Sequence, residues 1–188
     1  SVVASRKDAM LRKRQIFYFS DNEEEQPMIY PGRIVEARVI AVAPKAVRLE
    51  VFGVECSVRA RDMAWEWMPD ATEKFQVGDL VLVCVNKVEA PDVENVTVMA
   101  DAKGATENTN KDNLKKCHRQ GKYSGIITDV YKGTYFIRLD LGVNAIAHEC
   151  NMTTLPGKWD RIGFVVTRIN ETSEVAEGII TRMIKRHE

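Results

Sequence analysis

Three side chains in the C-terminal half have types and spacing that could do chemistry: Phe136, Arg138 and His148. If the run around them is a strand with Ile137 and Leu139 turned inward, then Phe136, Arg138 and Asp140 point out, because successive strand side chains take opposite faces. An outward ring beside an outward guanidinium is ill suited to a plain solvent surface. It suits an unstacked nucleobase, whose face lies on the ring while the guanidinium meets a phosphate. The alternative is that Phe136 is covered by the linker or by the other domain. His148 has three candidate roles. A general base needs a nucleophile or an orienting carboxylate, and Glu149, the nearby acid, points to the opposite face. A metal ligand needs partners, and neither His118 and His187 nor the well-separated Cys56, Cys84, Cys117 and Cys150 stand at a usable spacing. A flat aromatic with hydrogen-bonding edges needs nothing further, and packing is its plain alternative.

The wider inventory excludes more than it offers. No phosphate-cradling Gly-rich loop, nucleophile elbow, paired-carboxylate motif or H-E-x-x-H occurs, so neither catalysis, a cofactor nor a metal is expected. The 188 residues are 45% hydrophobic and 29% charged, an ordinary soluble composition. No run of eighteen apolar residues is present, and Arg6, Lys7 and Asp8 stand where an export signal needs an apolar segment. A cytoplasmic protein with reduced thiols and no membrane partner is the expectation. The net charge of zero conceals an asymmetry: residues 31–102 hold 8 basic and 12 acidic residues, and residues 103–188 hold 14 and 10. The second half is therefore the better match for a polyanion.

The elements that must position these residues occur twice. GVECSVRARDM (Gly53 to Met63) and GVNAIAHECNM (Gly142 to Met152) share Gly, Val and Met, with Arg59 where the second has His148. RLEVFGV before the first answers RLDLGV before the second, ARVIAV answers GIITDV, and FQVGDLVLVCVNKV answers WDRIGFVVTRI, a period of about 89 residues. NVTVMA and EGIITRMI close the two copies. Five short strands in each, with a Gly-marked break before the fourth, predict a mainly β chain of two small closed barrels.

Around the barrels, residues 1–30 read as an extension with a short basic helix and an acidic loop at Glu23 to Glu25. Residues 31–102 form the first barrel, and residues 122–188 the second. Between them, residues 103–121 read as a polar basic linker with a helical turn or two around Lys111 to Arg119 and no core of its own. Trp65 and Trp67, between the third and fourth strands of the first copy, read as a lid on a barrel end or as core, with a ligand cage as the lesser alternative.

The order and spacing of these segments resemble the RNA-binding OB-fold module named after ribosomal protein S-one. GRIVEARVIAV, GVECSVRARDM and FQVGDLVLVCV carry the likeness in the first copy, and SGIITDVYKGTYFIRLDLGV, NAIAHECNM and RIGFVVTRI in the second. The resemblance implies two five-stranded OB-fold barrels, with single-stranded RNA held on the face of strands two and three. In the second copy it places Lys132, Phe136 and His148 there, with Tyr135 beside the family's aromatic and Arg138 outward. In the first it places Ala43 or Pro44, Ala46 and Arg59, without a ring. Lys45, Arg48, matched to Arg138 in outward direction, and Arg59 can grip phosphates but cannot stack bases. The implied function is a non-catalytic single-stranded RNA-binding protein that acts through the second barrel. One alternative is a protein-interaction adaptor of a phage or mobile-element assembly that docks through the first barrel. Another is single-stranded DNA binding, which the same face permits.

Overall fold

The computed structural model describes residues 5–20, 26–150 and 152–188; the acidic stretch at 23–25 lies outside them. Among the described residues ten strands follow one another in two groups of five, as the repeat predicts. The first group is β1 (Ile34–Ala43), β2 (Ala46–Val51), β3 (Val54–Arg59), β4 (Leu80–Glu89) and β5 (Thr97–Asp101), hydrogen-bonded in the order β3-β2-β1-β4-β5. Its edge strands β3 and β5 pack against each other, so the sheet curls into a barrel. Alternation fills the inside: Val35, Ala37 and Val39 of β1, Val47, Leu49 and Val51 of β2, and Val83 and Val85 of β4 are all buried. The expected N-terminal helix is α1 (Arg6–Arg14), capped by the Ser5 hydroxyl, which accepts from the Asp8 N–H. A π-turn over Gln15–Phe19 continues it and seats Tyr18 in the barrel wall, where its hydroxyl donates to the Val51 carbonyl at 2.6 Å.

The helix crosses the β2–β3 turn closely. Gly53 has φ +90°, and a Cβ there would lie 2.5 Å from the Met10 carbonyl oxygen, so this position demands Gly both for its backbone and for its space. Phe17 packs on Phe52 with ring centroids 4.2 Å apart.

The second group is β6 (Lys122–Tyr131), β7 (Thr134–Leu139), β8 (Asn144–Cys150), β9 (Arg161–Asn170) and β10 (Val175–Lys185), a barrel closed in the order β10-β8-β7-β6-β9. Closure comes from β10, which pairs antiparallel with β9 and parallel with β8. The core holds Ile127, Ile137, Leu139, Ala145, Ala147, Ile162, Phe164, Val166 and Ile180.

The chain divides into two compact units at places the sequence does not mark. The first runs to Ala64 and resumes at Asp70–Glu107; the second comprises Trp65–Pro69 and Asn108–Glu188. The stretch read as a linker without a core is therefore split. Its C-terminal part forms α2 (Thr109–Leu114), capped by Asn108, and buries Leu114 and Cys117 in the second core. Two apolar residues in an otherwise polar run are enough to seat it.

Candidate nucleic-acid interface

The outer face of β7 and β8 is built from cross-strand pairs. Phe136 stands opposite Ile146 and Arg138 opposite Asn144, and the Thr134 side chain meets that of His148. His148 is exposed, and its Nδ1 lies 3.1 Å from the Thr134 hydroxyl. Lys132 sits at the tip of the β6–β7 hairpin with φ +47°, its ammonium 5.3 Å from the centroid of the Tyr131 ring. Tyr131 itself is 60% exposed.

Phe136 and Arg138 do face outward, but both are occupied. Trp67 meets Phe136 edge-on, with centroids 5.1 Å apart and planes at 78°. Arg138 Nη1 donates to Asn144 Oδ1 at 2.9 Å. Asn144 in turn donates from its side chain to the Trp65 carbonyl at 3.1 Å and from its backbone to Asn110 Oδ1 at 2.8 Å. Burial lowers the Arg138 pKa from its ordinary value, partly offset by the Glu66 carboxylate. The guanidinium is thus a half-buried member of an amide network and is not free for a phosphate in this arrangement. Tyr135 is 6% exposed and belongs to the core. Strand parity puts it with Ile137 and Leu139, so it cannot serve as a stacking ring beside Phe136.

The corresponding face of the first barrel is neutralised within the chain. Arg48 pairs with Glu55 at 2.5 Å, Glu55 also takes Arg6 at 3.1 Å, and Glu50 takes Lys13 at 2.6 Å. Arg59 pairs with Asp62 at 2.7 Å. Lys45 is exposed at the β1–β2 turn, where its carbonyl accepts the Ala60 N–H. The strand registers also correct the matching of the copies. Val39 opposite Leu49 answers Ile127 opposite Ile137, so the counterpart of Phe136 is Arg48 and that of Arg138 is Glu50. The shared Arg-Leu pair is two residues out of step. Ala46 opposite Arg59 answers Thr134 meeting His148, so Ala46 matches Thr134, and Arg59 does take the histidine position.

One residue escaped the sequence reading. In the first barrel Gly78, at φ +100°, donates its N–H to the Val39 carbonyl, and Asp79 follows it. In the second barrel the same bond runs from Trp159 to the Ile127 carbonyl, and Asp160 follows. Asp79 Oδ2 accepts the Gln76 N–H, and Asp160 Oδ2 accepts the Gly157 N–H, each at 2.8 Å. Trp159 therefore holds a glycine position, with φ +70°, a conformation that strains a bulky residue by about 1–3 kcal/mol. Its signal is the dipeptide Trp-Asp standing where the first copy has Gly-Asp. Burial alone would raise the Asp160 pKa, but the N–H groups of Gly157 and His187 hold it below the usual carboxylate range.

Residues 30–92 match the family model described as the S1 RNA binding domain. No curated protein sequence matches the chain. Among solved structures, the chain is similar to one in an a/eIF2alpha-aDim2p-rRNA complex from Pyrococcus horikoshii OT3, at 16% identity over 47% of this chain and 56% of that one, with a TM-score of 0.37. A multidomain protein with nucleic acid binding domains from Streptococcus pneumoniae aligns at 11% identity over 86% and 58%, with a TM-score of 0.30. Mycoplasma genitalium RNase R aligns at 12% over 81% of this chain and 22% of its own length, with a TM-score of 0.26. The aligned region spans little more than half of the first two chains, and likenesses this distant carry no functional weight. The family match covers β1 to β4 of the first barrel, and over that segment the chain is similar to the S1 RNA binding domain family.

Proposed function

We propose that the protein is a non-catalytic, cytoplasmic single-stranded RNA-binding protein that acts through its second barrel. The observation that carries this is the open end of the β7–β8 face, where exposed His148 stands beside Thr134 near the Tyr131–Lys132 pair. Rings there stack on bases irrespective of sequence, and Lys132 supplies a phosphate contact. The positive excess of residues 103–188 favours the same half. A base that reaches Phe136 must take the place of Trp67. The first barrel carries the family match, yet Arg48 and Arg59 of its β2–β3 face are consumed in ion pairs, which leaves it an auxiliary role.

A titration of the whole chain against single-stranded RNA, single-stranded DNA and duplex at two salt concentrations tests this reading. Preference for single strands over duplex, lost in His148→Ala, supports it; equal affinity for all three, or none, refutes it.

One observation favours the alternative of a protein adaptor. On the outer wall of the first barrel, Ile34 of β1, Leu80 and Leu82 of β4, and Met99 of β5 are each at least half exposed. Apolar residues on neighbouring strands of one wall are a feature of protein-docking surfaces.

A further inference from the structure

We infer that Trp159, with Lys158, forms a second base-stacking position for single-stranded RNA on the second barrel, outside the β7–β8 face; this rests on the RNA-binding reading above. A tryptophan at φ +70° has what its first-barrel counterpart Gly78 achieves without strain. Core packing accounts for only part of the side chain, which is 41% exposed. The turn does not need it either: the N–H bond to Ile127 and the Asp160 cap are backbone and carboxylate interactions that a glycine would keep. What the tryptophan adds is a large exposed ring, and Lys158 holds its ammonium 5.1 Å from that ring's centroid. A strained backbone that presents a partly open ring points to a ligand contact.

The position continues the proposed track. The Trp159 N–H donates to the Ile127 carbonyl of β6, the strand that leads to Tyr131 at the hairpin, and Trp159 lies in the segment between β8, the strand of His148, and β9. Tyr131 and Trp159 each form the same composite, an exposed aromatic with a lysine ammonium over it. Such a unit matches one nucleotide: the base takes the ring, and the flexible lysine stem lets the ammonium turn to the adjoining phosphate. The chemistry is indifferent to base identity, because every base has a π-face.

The test uses the full chain and a 5′-labelled oligoadenylate, with affinity read by fluorescence anisotropy and folding by a thermal melt. Trp159→Gly restores the residue natural to the turn, so its melting midpoint should equal or exceed that of the parent, while affinity falls about fivefold to a hundredfold at both low and high salt. Trp159→Phe keeps a ring and should retain most of the affinity. Parent-like binding by Trp159→Gly, or a lower melting midpoint that shows the ring to be packing, overturns the inference and leaves the RNA-binding reading standing. Failure of the parent itself to bind overturns both.

Discussion

If Trp67 occupies the ring that a base would use, removing it should strengthen RNA binding while it weakens the fold. An edge-to-face aromatic pair with centroids 5.1 Å apart is worth about 0.5–1.5 kcal/mol beyond its buried area. A base stacking on Phe136 must first break that pair, so Trp67→Ala should raise affinity about twofold to tenfold, the same energy expressed as a binding ratio. The variant also loses apolar burial, and its unfolding free energy should fall by about 1–3 kcal/mol. Anisotropy with a labelled single strand measures the first quantity and urea denaturation the second. Phe136→Ala is the control: it removes the pair and the stacking platform together, so it loses stability with no gain in affinity. Should Trp67→Ala bind RNA more weakly than the parent while remaining folded, Trp67 is part of the binding surface and the argument from occlusion is wrong.

Three further outcomes follow from the same geometry. With Arg138 held by Asn144, about two to three cations remain for phosphates, so log affinity against log salt should have a slope of roughly −1.5 to −2, measured over several salt concentrations. Arg59→Ala, which breaks an exposed pair with Asp62, should change stability by less than about 1 kcal/mol and leave RNA affinity unaltered at high salt, in contrast to His148→Ala. Asp160→Ala leaves the Gly157 and His187 N–H groups without their acceptor and should cost about 1–3 kcal/mol in a denaturation experiment. Because the Asp160 pKa is depressed in the folded state, its contribution is present above the unfolded carboxylate range and disappears as pH falls through the folded value, so parent and variant should converge in acid.

Much of the architecture was legible in the sequence because a β-strand announces its faces. The alternation in Ile137, Leu139 and their neighbours separated core from surface, and the duplicated Gly-Val-to-Met frame fixed the number of barrels. The same alternation explains the error of register. A slide of one residue would have turned every side chain over and been obvious; a slide of two keeps each residue on its face, so Arg48 could be laid on Arg138 without conflict. Tyr135 was misplaced for the opposite reason: its parity already sent it inward, and proximity to the family's aromatic outweighed that. That Phe136 could be covered was open in the sequence; that Trp67 covers it was not legible. Trp67 lies far from it in sequence, in an irregular segment with no periodicity to say where its rings go. Trp159 shows itself only when the Gly-Asp turn is matched to Trp-Asp, a comparison that depends on hydrogen bonds and not on residue identity.

The parallel pairing of β8 with β10 has a consequence for the order of events during synthesis. β6, β7 and β8 can join as hairpins as soon as each emerges, but β8 then presents a bare row of backbone donors and acceptors until β10, which runs to Lys185, arrives to cover it. β9 cannot shield that row, because it pairs on the other side, with β6. A nascent chain paused between Cys150 and Val175 therefore carries an adhesive strand edge that the finished barrel lacks, and β10 serves as the element that ends the interval in which two such chains could join edge to edge.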